Sequence, residues 1–164
     1  MPGTTITGAY VTGITLSLPT QNPFSVATGA SVLVGGGYTP ALLAQSGIGW
    51  TIGNSGSLGA QYGISLNSTG TINNFAGGAI TGRRDGIRSG YNSPITVFNA
   101  GTIGNTGTLG QSGVRLQGGG SVTNTSGGII SGVSRAVYIR NGGMLTNQAG
   151  GTINGFVQVL DAVG

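Results

Sequence analysis

The chain has 164 residues, among them 36 glycines and five prolines, and it carries six arginines against two aspartates for a net charge of +4. Its high glycine content without a strict Gly-X-Y period excludes collagen, and its length indicates one domain. Because His and Cys are absent and Asp85 and Asp161 are the sole acids, hydrolase proton relays and transition-metal sites lack their usual residues. We therefore expect no enzyme activity, cofactor or metal.

The N-terminal part has less regular patterning than the rest. In residues 1–37, apolar clusters recur about every eight to ten residues and predict an irregular N-terminal coil or cap. Residues 38–164 are predicted to continue as one solenoid domain, in which Trp50 is interpreted as core packing, with a sugar-stacking platform as the alternative. No segment typical of a signal peptide follows Met1, and we expect that the signal has been lost from this sequence. No run is long enough to predict a membrane span.

Residues 63–155 contain a repeat whose units begin at Gly63, Gly86, Gly113 and Ala136, about 23–27 residues apart. Apolar residues recur one, nine and seventeen residues into each unit, with the four extra residues of the second unit placed after Ile103. A unit of this kind cannot bury its apolar face alone, so the units are predicted to stack. The three predicted interior columns are Ile64, Ile87, Val114 and Val137; Ile72, Ile95, Val122 and Leu145; and Ile80, Ile103, Ile130 and Ile153.

Three strands per unit predict an all-β fold, a right-handed three-sided parallel β-helix of six to seven coils. Successive coils of such a solenoid lie about 4.8 Å apart. Asn74, Asn124 and Asn147 share one offset, where the second unit has Val97. Stacked inward asparagines predict a hydrogen-bonded ladder, and turn formation by asparagine is the alternative.

Several phrases resemble a known class of repeats. AGTIGNTG (residues 100–107), SVTNTSGGIISG (121–132) and LTNQAGGTING (145–155) are similar to repeats of autotransporter passenger domains and large exported adhesins of Gram-negative bacteria. The resemblance covers roughly residues 50–155. It implies a β-helix displayed at the cell surface or secreted, with adhesion, aggregation or biofilm formation as the expected role.

All six cations are arginines, and each lies within four residues of the first strand of its unit. Arg88 and Arg115 share an outward offset, so they are predicted to form a basic stripe in which Asp85 is the only acid. Clustered arginine with aromatic residues can bind phosphate, sulfate or uronate groups, whereas the alternative is that sparse charges keep the rod soluble and prevent lateral sheet pairing. The candidate stripe comprises Arg83, Arg84, Arg88, Arg115, Arg135, Arg140 and Tyr138, with Tyr91 beside it.

Three functional hypotheses follow from these patterns. The leading one is a structural, adhesin-type surface rod that binds host or bacterial surface glycans or proteins. The second is a filament subunit joined head to tail through the ends of its β-helix. The third is a module that binds anionic polysaccharide through the arginine stripe. We expect no nucleic-acid partner, because the net charge is modest and no nucleic-acid-binding module is recognisable.

Overall fold

The computed structural model describes residues 3–107 and 111–161. Within these residues it contains 17 strands and a single 3-10 turn at Pro19–Gln21. Every strand pairing is parallel, and the strands stack as a β-solenoid of seven coils, one for each strand of the seven-stranded sheet. The predicted parallel β-helix is therefore confirmed. No helix in this part of the chain has the length and apolar character required to cross a bilayer.

The first face of the solenoid is the seven-stranded sheet, to which each coil contributes one short strand. In parallel pairing, each strand must be followed by a crossover that returns the chain to the same edge, and here the crossover is the rest of the coil. In stacking order the strands are β1 (Thr4–Ile6), β4 (Phe24–Val26), β7 (Trp50–Asn54), β9 (Gly70–Asn74), β11 (Ile95–Asn99), β14 (Gly120–Asn124) and β16 (Gly143–Asn147).

The second and third faces belong to one bent sheet. In four coils a single long strand covers both faces, and these strands are β8 (Ser57–Leu66), β10 (Ala79–Ser89), β15 (Ile129–Ile139) and β17 (Thr152–Val159). In the other coils two short strands replace it, namely β2 (Ala9–Tyr10) and β3 (Ile14–Leu16), β5 (Ser31–Leu33) and β6 (Pro40–Ala44), and β12 (Thr102–Asn105) and β13 (Ser112–Leu116). The register shifts within β10 and β15, between Gly82 and Asp85 and between Ser131 and Arg135, mark the bend between the two faces.

The interior is one continuous apolar cluster that runs along the solenoid. On the second face Ile80, Ile103, Ile130 and Ile153 lie in register. On the third face Ile64, Ile87, Val114 and Val137 lie in register, and all four side chains are fully buried. Each buried aliphatic side chain contributes about 1.5–3 kcal/mol relative to its exposed state, so stacking of equivalent residues is the main source of stability.

On the first face, the predicted interior column is wrong at Ile95. The residue that pairs with Ile72 and Val122 is Val97, whereas Ile95 lies opposite Gly70 and Gly120 and is buried there. The column therefore reads Ile72, Val97, Val122 and Leu145.

The error has a physical cause in the lengths of the corners. The corner before β11 spans residues 90–94, two residues longer than its counterparts at 67–69 and 117–119. The corner after β11 spans only residues 100–101, two fewer than 75–78 and 125–128. The two changes cancel in the total length of the unit. The unit is therefore longer than the others only by the four residues after β12, and the shift of β11 cannot be seen in the unit length.

The N-terminal residues belong to the same stack as the rest of the solenoid. β4 pairs with β1 on one side and with β7 on the other, and β6 pairs with β8. The boundary expected after residue 37 falls between β5 and β6, within the second coil. Residues 3–37 thus form the first coil and the start of the second, and the glycines at 35–37 lie in a corner of the second coil.

The bend between the second and third faces requires a very small residue. A Cβ atom placed on Gly86 would lie 2.6 Å from the carbonyl oxygen of Gly113 and 2.8 Å from that of Gly104. Such distances are shorter than van der Waals contact, so the backbones of neighbouring coils approach closely only where the side chain is absent. This close approach explains why most repeat units begin with glycine.

Candidate functional site

The outer side of the third face carries one column of polar side chains. Ser65, Arg88, Arg115, Tyr138 and Gln158 lie in register on five successive coils. Because side chains alternate along a strand, the burial of the preceding residue in each of the first four strands directs Ser65, Arg88, Arg115 and Tyr138 outward. The two arginines of this column, Arg88 and Arg115, are thus held by the most regular part of the solenoid.

Arg88 is fixed on the ring of Tyr62. Its guanidinium carbon lies 3.9 Å from the ring centroid, and that of Arg84 lies 5.9 Å away. The Nε–H of Arg88 also donates to the Ser65 hydroxyl at 3.0 Å. Tyr62 is only 7% exposed, so the guanidinium group lies on a rigid aromatic surface, and Nε–H···Ser65 is its hydrogen bond within the described residues.

Tyr138 organises a second cluster two coils further along. The guanidinium carbons of Arg135 and Arg115 lie 5.0 Å and 5.9 Å from its ring centroid. Arg115 donates through Nη1 to Gln111 at 2.9 Å, and Arg135 donates through Nε to Gln158 at 3.0 Å. We call the two clusters together the Arg–Tyr face, whose members are Tyr62, Arg84, Arg88, Arg115, Arg135 and Tyr138.

Two arginines of the predicted stripe lie apart from this face. Arg83 donates to the Gln61 side chain and to the backbone carbonyls of Val34 and Gly37, at 3.3–3.4 Å, so it ties the corner after β5 to β10. Arg140 is exposed beyond the end of β15, with its guanidinium carbon 5.8 Å from the centroid of the Tyr91 ring. The predicted stripe of six arginines is therefore four arginines around two tyrosines.

The single acid of the region lies beneath the Arg–Tyr face. Asp85 is 1% exposed, and its Oδ1 accepts a hydrogen bond from the Ser112 backbone N–H at 2.9 Å. Burial raises the pKa of Asp85, and it outweighs the lowering by the hydrogen bond from Ser112 and by the charges of Arg115, Arg88 and Arg84. The Ser112 hydroxyl is also buried, without a hydrogen-bond partner among the described residues.

The positive charge of the Arg–Tyr face is only partly compensated, by the single carboxyl of Asp85 beneath it. The hydrogen bonds that the described arginines make end on amide, hydroxyl or carbonyl oxygens, never on a carboxylate. Arg88 and Arg115 occupy directly paired positions, and their guanidinium groups lie against rings on opposite sides of the pair, Tyr62 before it and Tyr138 after it. An external polyanion that contacts both guanidinium groups would compensate this charge.

Inside the first face runs a ladder of asparagines. Asn54, Asn74, Asn99, Asn124 and Asn147 lie in register, and each Nδ2 donates to the Oδ1 of the next residue at 2.8–2.9 Å. The expected interruption at Val97 is wrong, since Asn99 occupies the ladder and Val97 stacks with Ile72.

The ladder also binds the backbone. Each Nδ2 donates to a carbonyl in its own corner, such as Gly101 O for Asn99 at 3.1 Å. The four inner asparagines reach a second carbonyl in the next coil, such as Ile129 O for Asn99 at 3.2 Å. The ladder therefore satisfies corner carbonyls that burial would otherwise leave unpaired.

Sequence reasoning missed three members of these two arrangements, namely Tyr62, Asn54 and Asn99. The two asparagines had a local signal: each ladder asparagine lies two residues after the inward aliphatic residue of its strand, as in Val97-Phe98-Asn99. Tyr62 had no such local signal, because its contact with Arg88 arises only when two coils pair at the bend.

Trp50 is not available as a sugar platform. Its side chain is 1% exposed, and its Nε1–H donates to the backbone carbonyl of Gln45 at 2.9 Å. Among the described residues no group of three or more His, Cys, Asp or Glu side chains is placed to hold a metal ion.

Comparison of the chain with protein-family models, with curated proteins and with solved structures finds no match. The architecture alone therefore defines the class of protein, which is a parallel β-solenoid. Its lateral surface, and above all the Arg–Tyr face, is the candidate site of interaction.

Proposed function

We propose that this protein is a structural β-solenoid of the adhesin and autotransporter-passenger type, displayed at or released from the surface of a Gram-negative bacterium. It adheres through the Arg–Tyr face to acidic polysaccharide, and this contact supports adhesion, aggregation or a biofilm matrix. The observation that carries the proposal is the in-register pair Arg88 and Arg115, which lie against tyrosine rings and make no hydrogen bond to a carboxylate of the described residues.

The geometry favours a polymer over a small ligand. The face extends from Tyr62 in the third coil to Tyr138 in the sixth, roughly 14 Å along the axis at the strand spacing. Its guanidinium groups lie on an outer wall and not in an enclosed pocket, so a chain with repeated anionic groups can contact several of them. Repetition of weak contacts along one chain raises the overall affinity.

Arginine and tyrosine together suit sulfated or carboxylated sugars. The planar guanidinium group makes bidentate hydrogen bonds to carboxylate and sulfate-like oxygens. Because the tyrosine rings and the amide side chains hold the arginines in place, little side-chain entropy is lost on binding. Adhesion of this kind is expected to weaken as salt screens the exposed charges.

The proposal is tested with beads coated with the full chain. We expect the beads to attach to surfaces bearing dextran sulfate or polygalacturonate, and not to surfaces bearing neutral dextran. Arg88→Ser should weaken attachment roughly tenfold, the value of one charge-assisted hydrogen bond. Arg140→Ser is the matched control, since it removes the same charge from a separate site, and we expect it to change attachment less than about twofold.

Two results would contradict the proposal. Equal losses from Arg88→Ser and Arg140→Ser would show that attachment depends on net charge alone and not on the geometry of the Arg–Tyr face. Attachment to neutral and acidic surfaces alike would remove the Arg–Tyr face from the explanation.

A further inference from the structure

A cleft lies on the outer wall at the bend between the second and third faces. Its volume is about 420 Å³, within the range of about 300–1,000 Å³ that is usual for small-molecule sites. The cleft shares no lining residue with the Arg–Tyr face, so it is a separate site. Its lining comes from four successive coils and includes Leu33, Val34, Gly59, Thr81, Arg83 and Thr106.

The cleft arises where the strands of neighbouring coils differ in length. In the second coil the corner at residues 34–39 interrupts the strands at the bend, whereas β8 and β10 continue through it. This corner therefore borders the cleft on one side. The floor is deepened by Gly59, which lies in register between Leu33 and Thr81. A Cβ atom on Gly59 would lie 3.0 Å from Leu33 Cδ2 and 3.2 Å from Thr81 Oγ1, so even a methyl group would fill the gap between them.

Arg83 brings a positive charge to the cleft. Its guanidinium group donates to Gln61 Oε1 at 3.3 Å and to the carbonyls of Val34 and Gly37 at 3.4 Å. These bonds are longer than the usual 2.9–3.0 Å, and they use three of the five N–H donors of a guanidinium group. None of them ends on a carboxylate. Within the described part of the chain, two N–H donors of this half-buried cation therefore have no acceptor.

The rest of the lining combines hydroxyl groups with an apolar side chain. Thr81 donates through Oγ1 to the carbonyl of Leu58 at 3.4 Å, which is again a long bond, and Thr106 is exposed. Leu33 is 53% exposed beside them. A cation, two hydroxyl groups and an apolar surface in one cleft are complementary to a carboxylate, sugar hydroxyl groups and the C–H face of a sugar ring.

We propose that this cleft binds one hexuronate, a sugar whose C6 is a carboxylate, either as the free sugar or as one residue of a polymer. The carboxylate accepts hydrogen bonds from the two remaining N–H donors of Arg83. Hydroxyl groups of the sugar bond to Thr81 and Thr106, and the C–H face of its ring packs on Leu33. The site acts independently of the Arg–Tyr face.

The test is a titration of the full chain with D-galacturonate, followed by calorimetry and by the NMR shifts of the Thr81 and Thr106 amides. D-galactose, which has a hydroxymethyl group in place of the carboxylate, and inorganic sulfate are the comparison probes. We expect galacturonate to shift both amides and to bind roughly tenfold more tightly than either probe, the value of one charge-assisted hydrogen bond.

Three results with these probes would overturn the proposal. The first is the absence of galacturonate binding. Equal affinity for galactose would show that the charge of Arg83 does not select the ligand. Equal affinity for sulfate would show that the hydroxyl groups and Leu33 contribute nothing to recognition of a sugar.

Two variants locate the binding in the cleft. Arg83→Gln should weaken galacturonate binding roughly tenfold. Because Arg83 also ties the corner at residues 34–37, Gly59→Val is the second variant: it fills the floor and leaves the bonds of Arg83 in place. The atoms that a side chain at position 59 would meet first are the ends of Leu33 and Thr81, which can turn aside.

We expect Gly59→Val to weaken galacturonate binding at least tenfold. Arg140→Gln is the matched control, since it removes one positive charge from a separate corner, and a change of less than about twofold is expected. Unchanged affinity in Gly59→Val, or equal losses in Arg83→Gln and Arg140→Gln, would place the binding outside the cleft and overturn the proposal.

Trigalacturonate distinguishes the two sources of the sugar. If it displaces galacturonate and shifts the Thr81 and Thr106 amides, the cleft accepts a residue of a polymer. If galacturonate binds and the trimer does not displace it, the ligand is the free sugar.

Discussion

Asn99 offers the sharpest test of the ladder, because sequence periodicity alone assigns its place to Val97. Its side chain is fully buried, and its Nδ2 donates to Gly101 O, Asn124 Oδ1 and Ile129 O at 2.8–3.2 Å. Its Oδ1 accepts the Nδ2 of Asn74 at 2.8 Å. Replacement by leucine keeps the number and branching of the side-chain heavy atoms and removes all of these bonds.

The magnitude follows from the groups that are left behind. Each net hydrogen bond contributes about 1 kcal/mol, and each buried polar group left without a partner costs about 1–3 kcal/mol. Asn124 Oδ1 loses its only donor from the preceding coil, and the Gly101 carbonyl loses its side-chain donor. We expect Asn99→Leu to lower the free energy of unfolding by about 3–5 kcal/mol, a large share of the usual 5–15 kcal/mol.

The assay is urea denaturation followed by circular dichroism, with hydrogen exchange of each coil to detect local opening, since solenoids can unfold in parts. Asn73→Leu is the matched control, because this amide points outward from the neighbouring strand, and a change within about 0.5 kcal/mol is expected. A loss below about 1 kcal/mol for Asn99→Leu, or equal losses for both variants, would refute the ladder as a stabilising element.

Three further predictions concern stability. Asp85→Asn keeps an acceptor for the Ser112 N–H and removes a titrating group whose pKa burial raises above 3.8. In the parent protein, the folded state binds the Asp85 proton more tightly than the unfolded state does. The free energy of unfolding of the parent relative to this variant therefore falls as the pH rises through the raised pKa. A difference in unfolding free energy that stays constant from pH 3 to 8 would contradict this. Gly86→Ala should destabilise by about 1–3 kcal/mol through overpacking, whereas Gly35→Ala, where a Cβ meets open space, is the control, and equal melting temperatures would count against the close approach. Arg83→Ser should speed hydrogen exchange at residues 34–37 without weakening attachment to dextran sulfate; unchanged exchange there would show that the tie contributes nothing.

The sequence carried the architecture because the solenoid repeats one small set of requirements. The columns of Ile80 and Ile87 each keep their register from coil to coil, on either side of a bend where Gly86 permits close approach. Sequence offsets therefore equal structural offsets on the second and third faces. The outward pairing of Arg88 and Arg115 follows from the same regularity.

The first face could not be aligned by counting alone. The corners before and after β11 differ from their counterparts by two residues in opposite senses, and corner length is limited only weakly by stability. A shift of two residues preserves the inward direction of the side chains, so Ile95 and Val97 fit an interior column equally well by pattern. Only the hydrogen bonds between strands choose Val97 and thereby place Asn99 in the ladder.

By itself, the order of residues determined that this chain winds into stacked three-strand coils with aliphatic columns inside and arginines outside. Aliphatic burial is insensitive to detail, so periodicity is sufficient to predict it. The tertiary structure decided which residues meet across coils: Tyr62 beneath Arg88, Asp85 beneath the Arg–Tyr face, and an asparagine ladder from Asn54 to Asn147. Those contacts depend on directional hydrogen bonds and ring geometry over a few ångströms, which no pattern of spacing along the chain specifies.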